Sequence, residues 1–235
     1  KFISKNGYGL DGQWVDEFHH ALHAYLTGEK NGYYQDFGSL EQIEKACNKT
    51  YVYDGQYSEH RQRFFGAKLD DQPYSQFVVF SQNHDQTGNR MLGERLTSLL
   101  SFDQLKLSAA MVVLSPHIPM LFMGEEYGES NPFQYFVSHG DPELVEAVRK
   151  GREEEFKHFQ FGEAPDPQSE DTFIRSKLDW SSPGQKYNHA LFSFYQNLIT
   201  LRKEHPAFKN YQRDKNHCCL DENENVLVTY RESHD

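Results

Sequence analysis

The chain has 235 residues, enough for one large domain or one and a half, and 37% hydrophobic residues with 14% aromatics can supply a core. A formal charge of −11 argues against nucleic acid and anionic membranes as partners. No apolar run approaches the roughly 20 residues that span a bilayer, no signal pattern opens the chain, and three cysteines, two of them adjacent, make no disulfide framework; reduced thiols in a cytoplasmic protein fit instead.

In chain order, residues 13–18 alternate roughly and end in Asp16 and Glu17, which reads as a strand or strand end. Residues 19–26 look helical, with Gly28 as the stop. Ser39 and Gln42 have capping-box spacing at the head of a helix that reaches Cys47. Residues 48–75 show little periodicity but hold Tyr51, Tyr53, Tyr57, Phe64 and Phe65, so a long aromatic loop is expected, either functional or anchored by its own rings. Phe77, Val78, Val79 and Phe80 read as a fully buried strand. A helix is expected over 93–100, and another from Ser101 to Ser115. Residues 118–123 form a second buried strand that empties into Glu125 and Glu126. Strand, crossover helix and strand make a βαβ unit. Asp141, Pro142 and Glu143 open a helix to about Phe156. Residues 157–187 read as irregular. Asn188 is the expected cap of an amphipathic helix with Leu191, Phe194, Leu198 and Leu201 on one face, and the pattern turns to β near 210.

The chemistry concentrates after the buried run at 77–80, where Gln82, Asn83, His84, Asp85, Gln86, Asn89 and Arg90 follow in quick succession. A buried parallel strand ending in polar groups is the sequence form of a site at the C-terminal face of an α/β sheet or barrel. An acid, an imidazole, amides and a guanidinium suit a ligand rich in hydroxyls; the plainer alternative is a polar turn. Asp16/Glu17, Asp85 and Glu125/Glu126 each close a strand-like run, and paired carboxylates about 5–9 Å apart are what glycoside hydrolysis needs. A solvated strand end accounts equally for any one of them. His19 and His23 have the spacing of a zinc helix, but His20 stands where that motif needs Glu, so no metal is expected, and no nucleotide-binding glycine motif is present. His20 reads as a packed or substrate-facing histidine.

Together these motifs carry a resemblance. Residues 77–85, followed by a strand ending Leu121, Phe122, Met123, Gly124, Glu125, Glu126, resemble the α-amylase superfamily. The run 82–90 with residues 93–96 resembles more narrowly the malto-oligosyltrehalose trehalohydrolases. Matches also lie at residues 7–11 leading to Trp14, at 18–23, at Pro132, Phe133, Tyr135 and Phe136, at 141–144 and at 176–180. The resemblance implies an α/β fold, part of a (β/α)8 TIM barrel holding about strands six to eight over 1–209, with the start of a C-terminal β-sandwich over 210–235. It implies cleavage, with retention, of the α-1,4 bond next to the terminal trehalose of malto-oligosyltrehalose, without a cofactor. Asp85 would stabilise the transition state. His84, Asn83, Gln86, Asn89 and Arg90 would form its polar shell, with Trp14, His20, Phe64, Phe65, Glu125 and Phe133 as further substrate contacts. No segment matches the family's nucleophilic Asp or acid Glu, so the chain is expected to be a fragment, inactive alone and prone to self-association through exposed strand edges. Two rivals stay open: a branching enzyme or other member of the superfamily, and a non-catalytic carbohydrate-binding protein.

Overall fold

The computed structural model describes residues 7–69, 72–156 and 164–233. The described residues divide into two compact units, one of residues 7–69, 72–81, 102–121 and 193–233 and the other of residues 82–101, 122–156 and 164–192.

The first unit is organised on a three-stranded parallel sheet in the order β1 (Gln13–Trp14), β4 (Phe77–Val79), β5 (Ile118–Pro119). Gln13 pairs with Phe77 and Trp14 with Val78; Val78 pairs with Ile118 and Val79 with Pro119. The expected parallel βαβ connection is present, but the ladders are shorter than the apolar runs. Pro119 has no N–H to give, and the pairing is carried on by Met120 N–H to Val79 O at 2.9 Å. Asp16 and Glu17 do not close a strand. They occupy the first turn of α1 (Asp16–Thr27), where acids complement the helix dipole. Gly28 ends that helix in the left-handed region, as expected.

The core of this unit joins Val15, Phe77 and Val79 of the sheet to Phe18, Ala21 and Leu22 of α1, to Leu40, Ile43, Ala46 and Cys47 of α2 (Leu40–Lys49), and to Val112 of α5 (Phe102–Val113). The capping box at the head of α2 forms: Gln42 Oε1 accepts from Ser39 N–H at 3.1 Å and from Gly38 N–H at 2.8 Å. A half-buried arginine meets the last carbonyl of α5 and two carbonyls of the chain just beyond it. Arg202 donates to Val113 O, Ser115 O and His117 O at 2.6–2.7 Å.

The segment 48–75 is not a structureless loop. It folds into an antiparallel hairpin of β2 (Asp54–Ser58) and β3 (Arg63–Gly66). Its register shifts between Asp54 and Tyr57, and its strands are short and mixed in polarity, which hid the period-2 signal. Asp36 ties the hairpin down, accepting from Tyr53 Oη at 2.6 Å, Ser58 Oγ at 2.5 Å, Glu59 N–H at 3.0 Å and His60 N–H at 3.3 Å. After residue 210 a second antiparallel hairpin follows, β6 (Asn216–Asp221) with β7 (Val226–Arg231).

The second unit contains α3 (His84–Gly88), α4 (Leu96–Leu99), α6 (Pro142–Phe156), α7 (Glu170–Arg175) and the first turns of α8 (Lys186–Glu204). The expected helix over 93–100 shrinks to α4, because Gly93 sits at φ +69° and cannot be helical. α6 opens at Pro142 as expected. Within the stretch read as irregular, α7 forms, and residues 157–163 lie outside the described ones. Asn188 is not a cap. The helix has begun two residues earlier, and Asn188 Nδ2 instead donates to Tyr127 O at 2.7 Å and Gly128 O at 3.3 Å. On α8, Leu191, Tyr195 and Leu198 are buried while Leu201 is exposed, so the apolar stripe runs through Tyr195 and stops short of the expected position. Among the described residues no helix is long and apolar enough to cross a membrane.

Candidate active site

The polar run after β4 folds as a capped helical turn. Asn83 is extended, and its side-chain Oδ1 accepts from Asp85 N–H at 2.8 Å and Gln86 N–H at 3.3 Å. This cap fixes the first turn of α3 and sets the two consecutive side chains of His84 and Asp85 outward. Their side chains are 56% and 63% exposed, and His84 Nε2 lies 3.3 Å from Asp85 Oδ1. Asn83, Gln86, Thr87 and Gly88 are buried beneath them. Buried Gln82 accepts from Leu96 N–H at 3.0 Å and so links this turn to α4. Asn89 follows α3, and Arg90 Nε pairs with Glu94 Oε2 at 3.3 Å.

The same unit packs around a buried guanidinium. Arg95 is 1% exposed and donates Nε to Asn131 O at 2.8 Å and Nη1 to Met123 O at 2.7 Å. It lies 4.7 Å from the ring centre of Phe122 and 6.0 Å from that of Phe133. Gly93 O accepts from Phe133 N–H at 2.8 Å, and a Cβ on Gly93 would come within 2.5 Å of the Phe133 backbone. A side chain there would push Phe133 away. Glu129, fully buried, takes Tyr127 Oη at 3.1 Å, Asn131 N–H at 2.7 Å and Asp179 N–H at 2.6 Å. Glu125 is also buried, in a 3-10 turn whose N–H reaches Phe122 O at 3.0 Å. Phe133 packs edge-on against Phe122 at 5.3 Å.

In the first unit a cleft of about 190 Å³ gathers Trp14, Glu17, His20, Tyr33, Arg61 and Phe65. Trp14 is partly exposed and rests edge-on against Phe80 at 5.9 Å. His20 packs at 4.9 Å from Tyr33 and 5.2 Å from Phe37. Burial, followed by the neighbouring charges of His23, Arg61 and His60, lowers its pKa to about 3, so the imidazole is neutral at physiological pH. Glu17 Oε2 accepts from Val52 N–H at 2.6 Å and Tyr53 N–H at 2.7 Å. Burial raises the Glu17 carboxyl above its ordinary value against these two bonds. The guanidinium of Arg61 stacks 4.0 Å from the ring centre of Phe65.

The structure thus brings Trp14, His20 and Phe65 to one cleft, and Asn83, His84, Asp85, Gln86, Asn89 and Arg90 to one turn. Phe64 does not line the cleft. It is 75% exposed and meets Tyr57 edge-on at 5.6 Å. Successive strand residues point to opposite faces, so the two phenylalanines could never share a platform. Tyr33, His60 and Arg61 line the cleft and escaped the sequence reading. The hairpin that delivers His60 and Arg61 would have been the signal. His19 and His23 are committed elsewhere: His19 to Ser81 O and, at 2.7 Å, Tyr34 Oη, and His23 to Glu29 Oε2 at 2.8 Å.

No family model matches the chain. Curated relatives do. A malto-oligosyltrehalose trehalohydrolase of Saccharolobus solfataricus is 51% identical over 201 residues, covering 86% of this chain and 34% of the relative. One from Arthrobacter ramosus is 48% identical over 205 residues, covering 86% and 36%. A crystal structure of a Salmonella typhimurium protein provisionally assigned as an alpha amylase superposes with a TM-score of 0.82 at 38% identity, over 89% of this chain and 36% of that one. The chain spans about a third of the length of the proteins it matches. It carries part of an α-amylase-type α/β fold, and by sequence it is related to the malto-oligosyltrehalose trehalohydrolases of the α-amylase superfamily.

Proposed function

We propose that the protein to which this sequence belongs hydrolyses the α-1,4 glucosidic bond beside the terminal trehalose of malto-oligosyltrehalose, with retention. The identity of 51% over 201 residues to a named trehalohydrolase carries this reading. The capped turn supports it. Asp85 is exposed on a turn fixed by the Asn83 cap, with His84 Nε2 3.3 Å from its carboxylate. An acid so placed can accept hydrogen bonds from sugar hydroxyls and stabilise an oxocarbenium-like transition state. His84, Asn89 and Arg90 serve as hydroxyl partners in this reading. Asn83 and Gln86 act through the cap, since both are buried.

The cleft is a glucosyl-binding surface on the same reading. Trp14, Tyr33 and Phe65 offer ring faces, and a neutral His20 can exchange hydrogen bonds with a polyol without carrying charge into the site. Phe133 and Glu125 belong to the packing around Arg95 and Phe122 in the second unit. The reading places the protein in the cytoplasm. It assigns residues 1–209 to the catalytic barrel and 210–235 to the start of a β domain. It also leaves the β1 and β5 edges able to pair with another copy, which light scattering of the chain at rising concentration would detect.

No segment here matches a glycosidase nucleophile or general acid, and Asp85 alone cannot begin bond cleavage, so this polypeptide by itself should release no trehalose. The test is product analysis on malto-oligosyltrehalose. The longer protein carrying this sequence should yield free trehalose, and the isolated chain none. New α-1,6 linkages would assign a branching reaction, and turnover by the chain alone would overturn the division of labour.

A further inference from the structure

Two buried cysteines of the first unit converge on one place. Cys47, on α2, and Cys218, on β6, are both buried, and both line one cavity of about 130 Å³. They stand 171 positions apart in a chain with only one other cysteine, Cys219, which is exposed on the opposite face of β6. The backbones that carry the pair are clamped. Asn48 Oδ1 accepts from Cys218 N–H at 2.8 Å, and Asn48 Nδ2 donates to Cys218 O at 2.6 Å. One turn earlier on α2, Glu44 Oε1 accepts from Leu220 N–H at 3.1 Å. Side chains of α2 therefore substitute for a neighbouring strand along the edge of β6 that β7 does not use. This docking sets the backbone of Cys218 beside Asn48, the residue that follows Cys47, and both cysteines face the same cavity.

We propose that Cys47 and Cys218 are a modification site, a dithiol that low-molecular-weight disulfides oxidise to an intrachain disulfide bolting α2 to the β6–β7 hairpin. Nothing in the glycosidase reading uses either thiol. A reagent has a way in. Cys218 lines an open groove of about 990 Å³, and with Cys47 it lines a smaller cavity of about 130 Å³. Lys45, Lys49, Lys68 and Arg213 in the groove stand against Glu44, Asp54 and Asp214, so an anionic disulfide is not repelled. The chemistry balances as a two-step exchange. The Cys218 thiolate attacks glutathione disulfide, forming a mixed disulfide and expelling one glutathione thiolate. The Cys47 thiolate then attacks the Cys218 sulfur and expels the second. Two protein thiols are oxidised, one small disulfide is reduced, and the two protons leave on the released thiols. The neighbouring Cys47 thiol holds Cys218 below its ordinary pKa against the effect of burial, while Cys218 and burial push Cys47 up, so Cys218 is the attacking member.

The test uses the folded chain, reduced and then incubated with glutathione disulfide, with hydroxyethyl disulfide as a neutral second reagent. Alkylation and peptide mass mapping follow. The expected product has one alkylatable thiol, Cys219, and a linked peptide pair joining Cys47 to Cys218. The Cys219→Ser variant changes only an exposed residue and should give the same link with no free thiol. The oxidised chain should melt several degrees above the reduced one, because a long loop is closed, and dithiothreitol should reverse the shift. Three alkylatable thiols after oxidation, a Cys218–Cys219 link, or glutathione found only on Cys219 would each overturn the proposal.

Discussion

Glu17 and Asp85 are acids that follow, within a few residues, the ends of neighbouring strands of one parallel sheet, yet they are used in opposite ways. Glu17 is spent on structure: it lies in the first turn of α1 and binds Val52 N–H and Tyr53 N–H, fixing the chain that leads into the β2–β3 hairpin. Asp85 is held by its own backbone N–H through Asn83, and its carboxylate remains 63% exposed. The same residue class at the same kind of position is thus a strut in one region and an open acceptor in the other. What separates them is the acceptor's partner. An acid that satisfies two buried N–H groups cannot be withdrawn for chemistry without leaving them unpaired.

The sharpest test of that contrast is Asp85→Ala in the longer protein. Removing one transition-state partner should lower the rate of trehalose release on the order of 10²–10³-fold. Thermal stability should move little, since the deleted carboxylate is 63% exposed and meets a side chain, His84, that is itself exposed. An unchanged rate would put Asp85 with the struts. Glu17→Ala should do the reverse. Two buried N–H groups lose their acceptor, at a cost of up to about 3 kcal/mol read from denaturant unfolding. Glu17→Gln keeps an acceptor and should lose less. A variant at Glu17 that keeps its stability but loses activity would erase the distinction.

Much of this was legible beforehand, and the failures share a cause. Residues 77–80 are uniformly apolar and bounded by polar groups, so β4 and its exit could be read directly. The caps at Ser39 and Gly28 declare themselves through residue chemistry that acts within one turn. The hairpin at 54–66 was hidden because its strands gain their stability from Asp36, a residue far outside any local window. The role of Glu17 was hidden for the same reason, as its partners lie 35 and 36 positions away. The cleft was half legible. Trp14, His20 and Phe65 could be suspected from type alone, but Tyr33 and Arg61 join them only through the fold.

A smaller effect comes from a histidine. His117 is fully buried, with Nε2 3.0 Å from Thr50 Oγ1, and burial, then the charges of Arg213, Arg202 and Arg231, lowers its pKa to about 3. The unfolded chain takes a proton there near pH 6.5, and the folded one does not. The contribution of His117 to stability should therefore be constant above about pH 6.5 and fall as the pH drops towards 3, by about 1.4 kcal/mol per pH unit. Unfolding curves at pH 7 and pH 5 measure the slope, and His117→Asn should reduce the slope by that amount and leave the share of His20, whose pKa is lowered in the same way, whatever its effect on stability at pH 7. Asp36 acts in a lower window. Burial would raise its carboxyl, but the bonds from Ser58, Tyr53, His60 and Glu59 outweigh this and hold it below the ordinary value, so its contribution is lost only as the pH falls through that lowered value.

The smallest effect sharpens the comparison inside the hairpin itself. Phe64 and Phe65 are adjacent on β3, but Phe65 lies in the cleft under Arg61 and against Tyr53, while Phe64 projects into solvent beside Tyr57. Phe64→Ala removes little buried surface, and its cost should stay within about 0.5 kcal/mol. Phe65→Ala strips a ring that partners both a guanidinium and a buried tyrosine, and its cost should be larger. The diagnostic quantity is KM for malto-oligosyltrehalose in the longer protein. If the cleft binds a glucosyl unit, Phe65→Ala should raise KM severalfold and Phe64→Ala should leave it unchanged. A raised KM for Phe64→Ala with no change for Phe65→Ala would mean that sugar is bound on the outer face of the hairpin, and that the cleft is a packing feature like the strut formed by Glu17.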